Sequence, residues 1–255
     1  MSVLYLVEQG SSLQKRGDTL LVTKEGRVLA QLPAMTVEQV VVTGNVTLTT
    51  PALAYLLDRG VETVLLSVEG RYRGRLVPPE SGYGALRAAQ ARVAADPAAT
   101  LRLARRFVQG KRANQRTMLM RYHRERPRPE VAAAVEVLGG CLARLERVQG
   151  MGSLHGVEGT GSAAYFQAFR ALLKQDLGFV ARARRPPTDP VNAMLSFGYT
   201  LLLHNVQAAL HTVGLDPYQG YLHALAYARP SLALDLMEEF RGILVDSVVL
   251  RLVNT

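Results

Sequence analysis

The stretch GYLHALAYARPSLALDLMEEF, residues 220–240, sets His223 twelve residues ahead of Asp235, with Glu238 and Glu239 close behind. If residues 230–241 are helical, with Pro230 and Ser231 in the first turn, Asp235 and Glu238 share a face, and Glu239 is turned about 100° further. Two carboxylates on one surface repel in a low dielectric, so keeping both ionised calls for a cation between or beside them. Leu232, Leu234, Leu236 and Met237 surround the acids with apolar bulk, which predicts a partly buried site. An imidazole nitrogen of His223 could reach the same point. Carboxylates with an imidazole suit Mn²⁺, and Mg²⁺ tolerates the set while keeping several waters. The competing reading of His223 is a core histidine bonded to backbone.

A third acid stands apart. GVEGTGSAAYF, residues 156–166, has three glycines but no strand before it, so it makes a poor phosphate cradle, and Glu158 would repel phosphate unless a cation intervened. The pattern predicts Glu158 just ahead of a helix over 161–184. There it could project into a site, or simply favour a helix N-terminus by about 0.3 to 1 kcal/mol. His155, His204 and His211 read as structural, and Cys141, in an apolar helix, as packing. There is no Walker loop, dinucleotide fingerprint, paired-cysteine zinc site or serine elbow, so the familiar nucleotide and hydrolase chemistries have no residues to use.

The elements that must position these residues fall into two regimes. Residues 3–7, 19–23, 27–32, 39–43 and 63–68 are short β-branched runs. TLLVTKEGRVLAQLP predicts a hairpin turning at Lys24-Glu25-Gly26, and PALAYLLDRG a short helix opened by Pro51 and closed by Gly60. The Pro/Gly cluster RLVPPESGYGA marks a change of pattern. Beyond it the apolar period is helical: LRLARRFVQGKRANQRTMLMRY, then 130–149, 161–184, 190–214 and 230–253. These observations give an α+β chain with a small β-rich N-terminal domain (1–77), a linker (78–85) and an all-α helical domain (86–255).

The formal net charge is +9, unevenly spread: residues 1–80 hold eight basic and eight acidic side chains, whereas 87–128 hold twelve Lys/Arg against Asp96 and Glu125. Such a density favours a polyanion, and phosphate backbones are the commonest. The other reading is a solvated helix face. No apolar run reaches the roughly 18 residues of a membrane span and no secretory leader is visible, which predicts a cytoplasmic protein. Asn45-Val46-Thr47 carries no weight as a glycosylation site there, and one cysteine excludes an internal disulfide.

The β-rich segment ending in GRLVP, followed in order by GVEGTGSAAYF, RARRPPTDPVNAMLSFGYTLL, GLDPYQGYLH and LALDLMEEFRGILVD, resembles the CRISPR-associated adaptation integrase, the catalytic subunit that inserts new spacers. The likeness runs over essentially the whole chain. It implies a divalent ion, Mg²⁺ or Mn²⁺, held by Glu158, His223 and Glu238, with Asp235 as the alternative third ligand, since family members often carry aspartate there. It also implies a homodimer built through the N-terminal domains and a small ferredoxin-like companion subunit bridging two dimers. The family commonly continues with further helices and a mobile tail, whereas this sequence stops at RLVNT, a departure that bears on DNA grip while all the site motifs are present. The reaction implied is metal-dependent endonuclease and integrase chemistry on double-stranded or branched DNA, in which a 3′-hydroxyl attacks a phosphodiester. Arg105, Arg106, Lys111, Arg112, Arg116, Arg182, Arg184 and Arg185 would then neutralise DNA phosphates, and Tyr165 would stack on DNA or pack beside Phe166. The rival readings are a noncatalytic basic DNA-binding scaffold and a metal hydrolase for a small phosphorylated molecule.

Overall fold

The computed structural model describes residues 2–68, 72–76, 83–183 and 186–255. The chain divides into two compact units, Met1–Gly82 and Tyr83–Thr255. Most of the 78–85 stretch expected to link them lies outside the described residues, and helix begins at Gly84, inside its last residues.

In the first unit, β1 (Val3–Leu6), β5 (Gln39–Thr43) and β7 (Glu62–Leu66) pair in parallel, with β8 (Tyr72–Leu76) antiparallel at the edge. A second sheet runs in the order β4 (Arg27–Pro33), β3 (Thr19–Lys24), β2 (Ser12–Arg16), β6 (Thr47–Leu48). Leu13, Leu20, Val40, Ala52 and Leu56 belong to the core of this unit, drawn from both sheets and, in the last two, from α1 (Thr50–Asp58). The predicted hairpin is β3–β4, and both turn residues are left-handed, Glu25 at φ 49° and Gly26 at φ 77°. That twist matches the flanking strands, with glycine making the second position easy. Sequence reading missed β2, β6 and β8. β2 and β8 are rich in polar residues and arginine, and β6 has two residues, so none shows the β-branched alternation that marks a strand.

The second unit is helical: α2 (Gly84–Ala95), α3 (Pro97–Glu125), α4 (Pro129–Leu145), α5 (Met151–Leu172), α6 (Pro190–Thr212), α7 (Ser231–Phe240), a π-helical segment Arg241–Asp246, and α8 (Ser247–Asn254). Three of these starts share one device, proline in the first turn. Asp96 and Asp189 also cap α3 and α6 by accepting from the N–H groups of Ala98 (2.9 Å) and Asn192 (2.8 Å). The core gathers Leu119, Leu138, Phe169, Leu195, Met237 and Leu250 from six different segments. A satellite cluster holds Ala104, Val108, Leu154 and Cys141, so the cysteine is packing, as expected. α5 differs from expectation: it starts ten residues earlier than predicted and stops at Leu172 rather than near 184. Among the described residues no helix is long and apolar enough to cross a membrane.

α6 and the π segment meet where Gly198 leaves no side chain. A Cβ there would lie 2.5 Å from Val245 Cγ1, a branched and buried neighbour that cannot swing aside. Gly198→Ala is therefore expected to lower stability by about 1 to 3 kcal/mol, read as a shifted urea midpoint at constant slope.

Candidate active site

Three elements bring the candidate residues together. α3 crosses α7 where Gly110 faces Glu239, and a Cβ on Gly110 would fall 2.5 Å from the Glu239 carboxyl carbon. That close approach puts the next residue, Lys111, beneath Glu238. Lys111 Nζ lies 2.6 Å from Glu238 Oε2 and 2.5 Å from Glu158 Oε1 on α5. One ammonium thus bridges the two acids that the sequence reading singled out, although they are eighty residues apart.

Each acid has a second cation on its outer side. Arg112, completely buried, reaches Glu158 Oε1 at 3.2 Å and donates to Ser162 Oγ (2.9 Å), Gln115 and the Glu158 carbonyl. It passes over Gly161, where a Cβ would come within 2.6 Å of its Nε. Glu158 also accepts from Ser162 Oγ at 3.0 Å. Arg241, the first residue of the π segment, pairs with Glu238 Oε1 at 3.0 Å while its guanidinium sits 4.9 Å over the Tyr199 ring. Burial pushes the Glu158 carboxyl up, but Lys111, Arg112 and Ser162 outweigh it and bring its pKa to about 2. For Glu238, burial likewise opposes ionisation, and Lys111 and Arg241 overcome it, so the net shift is downward. Both acids are carboxylates at neutral pH.

Asp235 does different work. Completely buried, it accepts from the backbone N–H of Tyr221 (2.6 Å), Leu222 (2.8 Å) and His223 (2.8 Å), and its Oδ1 lies 2.6 Å from His223 Nδ1. Its oxygens are thus committed to the loop before α7. Two further contacts fix that loop. Gln90 of α2 exchanges hydrogen bonds with the Asp216 backbone, and Gly220 comes so close to Ser231 that a Cβ would lie 2.5 Å from the serine Cβ. With Nδ1 held by Asp235, His223 has only Nε2 left to offer. Glu158, Glu238 and His223 line one cavity of about 640 Å³, together with Lys111, Arg182 and Arg241.

The donor set fits a divalent ion: two carboxylates and an imidazole whose other nitrogen is anchored by a buried acid. Glu238 Oε2 has the Lys111 ammonium near it but no aligned hydrogen bond, so its lone pairs are not saturated. Lys111 stands as a cation where the two carboxylates converge. Among the described residues no three His, Cys, Asp or Glu side chains are gathered in a metal-holding arrangement, and the Lys111 ammonium lies between the two glutamates.

With this geometry in view, comparison with known proteins is decisive. The family model described as CRISPR associated protein Cas1 matches residues 4–255. The chain belongs to the Cas1 family. CRISPR-associated endonuclease Cas1 3 of Thermus thermophilus is 43% identical over 256 residues, covering 100% of this chain and 75% of its own length. A casposase bound to integration product shares 26% identity at a TM-score of 0.78, over 99% of this chain and 73% of the casposase. A Cas6-RT-Cas1–Cas2 complex contains a chain 26% identical at a TM-score of 0.75, covering 99% of this chain and 28% of that one. The resemblance read from the motifs thus holds, as does the α+β architecture of a strand-rich region followed by a helical one.

Within this Cas1-family chain several expected roles change. Glu158 lies in the middle of α5, not ahead of a helix, so it does not serve a helix N-terminus. Lys111 and Arg112, expected on DNA, are buried in the carboxylate network. Tyr165 is also buried: its hydroxyl donates to Asp246 Oδ2 at 2.6 Å and its ring packs 5.2 Å from Phe166, so it packs rather than stacking on DNA. Arg105 and Arg116 are half-buried and donate to the carbonyls of Val148 (2.6 Å) and Val135 (3.3 Å), whereas Arg106 is exposed. Arg182 binds Asn192 and Ser196 at the cavity edge, and Arg184 and Arg185 lie outside the described residues. His155 touches the Leu222 carbonyl at 3.3 Å and His204 lies 3.3 Å from Gln207 Oε1, consistent with structural roles.

Sequence reading missed Asp246 altogether. Completely buried at the end of the π segment, it accepts from Tyr165 and from Tyr199, each at 2.6 Å, tying α5 and α6 to α7 and α8. Burial raises its pKa from an ordinary 3.8 to about 6, and the two tyrosines and Arg241 only partly offset this. The folded state therefore binds this proton more tightly than the unfolded chain. Its stabilising contribution is complete below pH 3.8 and is lost as pH rises towards about 6. Asp246→Asn, neutral throughout, lacks that slope, so the wild-type stability measured by urea unfolding should fall relative to the variant between pH 4 and 6 and run parallel above.

Proposed function

We propose that this chain is a divalent-metal-dependent DNA integrase and endonuclease that inserts short DNA fragments, new spacers, into a CRISPR array. A DNA 3′-hydroxyl attacks a target phosphodiester. A new bond forms between phosphorus and the attacking oxygen, the bond to the departing 3′-oxygen breaks, and no covalent protein intermediate is needed. With water as the nucleophile the same site cuts. What carries the reading is the meeting of Glu158, Glu238 and His223 at one cavity in a chain whose relatives are named endonucleases.

Glu158, Glu238 and the Nε2 of His223 would hold Mg²⁺ or Mn²⁺, which when bound supplies polarisation of a phosphoryl oxygen and a lowered pKa for the attacking hydroxyl. Arg112 and Arg241 keep the two carboxylates ionised, and Asp235 fixes the imidazole orientation as a positioning residue rather than a ligand. Arg170 and Arg182 line the cavity, and Arg102, Arg106, Arg121 and Arg124 are exposed along α3. These side chains would contact phosphates without reading sequence, and make affinity for double-stranded or branched DNA fall steeply with salt.

The partners follow from surface chemistry and from kin. β4 is an edge strand with Val28 and Leu29 exposed, in a unit whose charge is balanced, which suits pairing with a second copy into a homodimer. The complex that contains Cas1 with Cas2 supports a small companion subunit, which we take to be ferredoxin-like. The setting of this work is the cytoplasm.

The test is joining and cutting of labelled branched DNA with Mn²⁺. Glu158→Gln, His223→Ala and Glu238→Gln should each lose both reactions while still binding DNA in a chelator. Wild-type rates in Glu158→Gln would sink the proposal and leave a DNA-binding scaffold, and binding that ignores salt would point instead to a small phosphorylated substrate. Asp235→Asn should keep the three ligands yet weaken Mn²⁺ binding about 10- to 100-fold, measured by calorimetry.

A further inference from the structure

Lysine occurs at only four positions, 15, 24, 111 and 174, against 26 arginines. One of the four is buried at the centre of the site. Lys111 touches both carboxylates, and the two oxygens it contacts can be no farther apart than the sum of the two distances, 2.5 and 2.6 Å. The arginines that flank it are held by other groups as well: Arg112 by Gln115, Ser162 and the Glu158 carbonyl, Arg241 by the face of Tyr199. Lys111 has no comparable second anchor among the described residues. Its hydrogen-bonding and ionic partners are the two acids themselves.

The chemistry of the two cation types explains the difference. A guanidinium is a planar fork that needs its own set of acceptors, whereas an ammonium is a compact point charge on a flexible stem. Only the second can stand in for a small ion between two carboxylates and also leave. An ammonium and a divalent ion cannot share that point, since like charges about 4 Å apart repel by several kcal/mol even at a moderate effective dielectric. The adjoining cavity of about 640 Å³, which Lys111 itself lines, has room for the displaced side chain.

We propose that Lys111 is a displaceable internal counter-ion. Without metal it bridges Glu158 and Glu238 and holds them converged, and it gives way to an entering divalent ion by swinging into the cavity. This inference rests on the metal-binding reading of the site and adds that the site is held ready, and guarded against weak binders, by its own lysine.

Two measurements test it, neither of which reads catalysis. The first is reductive methylation followed by mass spectrometry on the wild-type protein, with Lys15, Lys24 and Lys174, none of them buried, as references on the same molecule. Lys111 should be protected in chelator and become modified when Mn²⁺ is added, while the other three do not change. The second is Mn²⁺ binding by calorimetry, in which Lys111→Met should bind about tenfold tighter than wild type. Its apo form should melt at a lower temperature, with the loss recovered on adding Mn²⁺. Mn²⁺ binding that leaves Lys111 equally protected, or a Lys111→Met protein with unchanged or weaker affinity, overturns the inference while sparing the metal site. Failure of both proteins to bind Mn²⁺ removes the metal site, and this inference with it.

Discussion

The helical unit depends on holding two carboxylates, the buried Glu238 and the half-buried Glu158, within reach of one another. Drawing such charges out of water is costly unless compensating charge is supplied with good geometry. The compensation here comes from α3 and the π segment, as Lys111, Arg112 and Arg241. The compensation also fixes register. Lys111 can bridge Glu158 and Glu238 only if α3 lies tightly against both α5 and α7, and glycine is used at each close approach: Gly161 under Arg112, and Gly110 under Glu239. A slide of either helix by one turn would put a side chain where an arginine or a carboxylate now lies. Packing and charge neutralisation are therefore one constraint, satisfied together.

Three buried acids and the half-buried Glu158 are stabilised in three different ways, and the difference separates their roles. Glu158 and Glu238 are matched by cations and stay ionised, with oxygens facing a cavity. Asp235 is matched by three backbone N–H groups and an imidazole, a saturated arrangement that turns an acid into a loop clamp. Asp246 is matched by two tyrosine hydroxyls, donors too weak to offset complete burial, so its proton is held more tightly than usual. The π segment serves two of the four: it starts with Arg241 on Glu238 and ends with Asp246 between two tyrosines. The extra residue per turn reorients both ends of a short stretch towards the site, a use often made of π geometry at functional positions.

Much of this was legible in the sequence, and the failures have physical causes. The histidine and acids of residues 220–240 stood out because apolar neighbours made their charges costly, and His223 and Glu238 do line one cavity with Glu158. The hairpin, the proline starts and the break between strand and helix patterns were likewise visible. Glu158 was misplaced because Gly156, Gly159 and Gly161 resemble a turn. Yet Leu154, Val157, Gly161, Tyr165 and Ala168 recur at three and four, and that stripe already put both the glycine and Tyr165 on an inward face. The same period runs through Ala104, Val108, Lys111, Gln115 and Met118 in α3. A lysine in phase with an apolar stripe signals an internal counter-ion, which a sum of charges over 87–128 conceals. The role of Asp235 was not legible, because its partners are backbone groups of a loop whose path no pattern encodes.

The choice of glutamate at position 238 follows from the same geometry. A longer side chain gains reach but adds a rotatable bond, and ordering that freedom costs entropy. Arg241, three residues on, pins Oε1 to the guanidinium, which in turn lies on the Tyr199 ring that Asp246 holds. The extra bond is thereby immobilised from the side facing away from Lys111, and the remaining oxygen points at the ammonium. An aspartate in this backbone would retain the charge but fall short of α3, where Lys111 now closes the gap. Reach and rigidity are supplied by different residues, so the third acid can be the longer one without loosening the site.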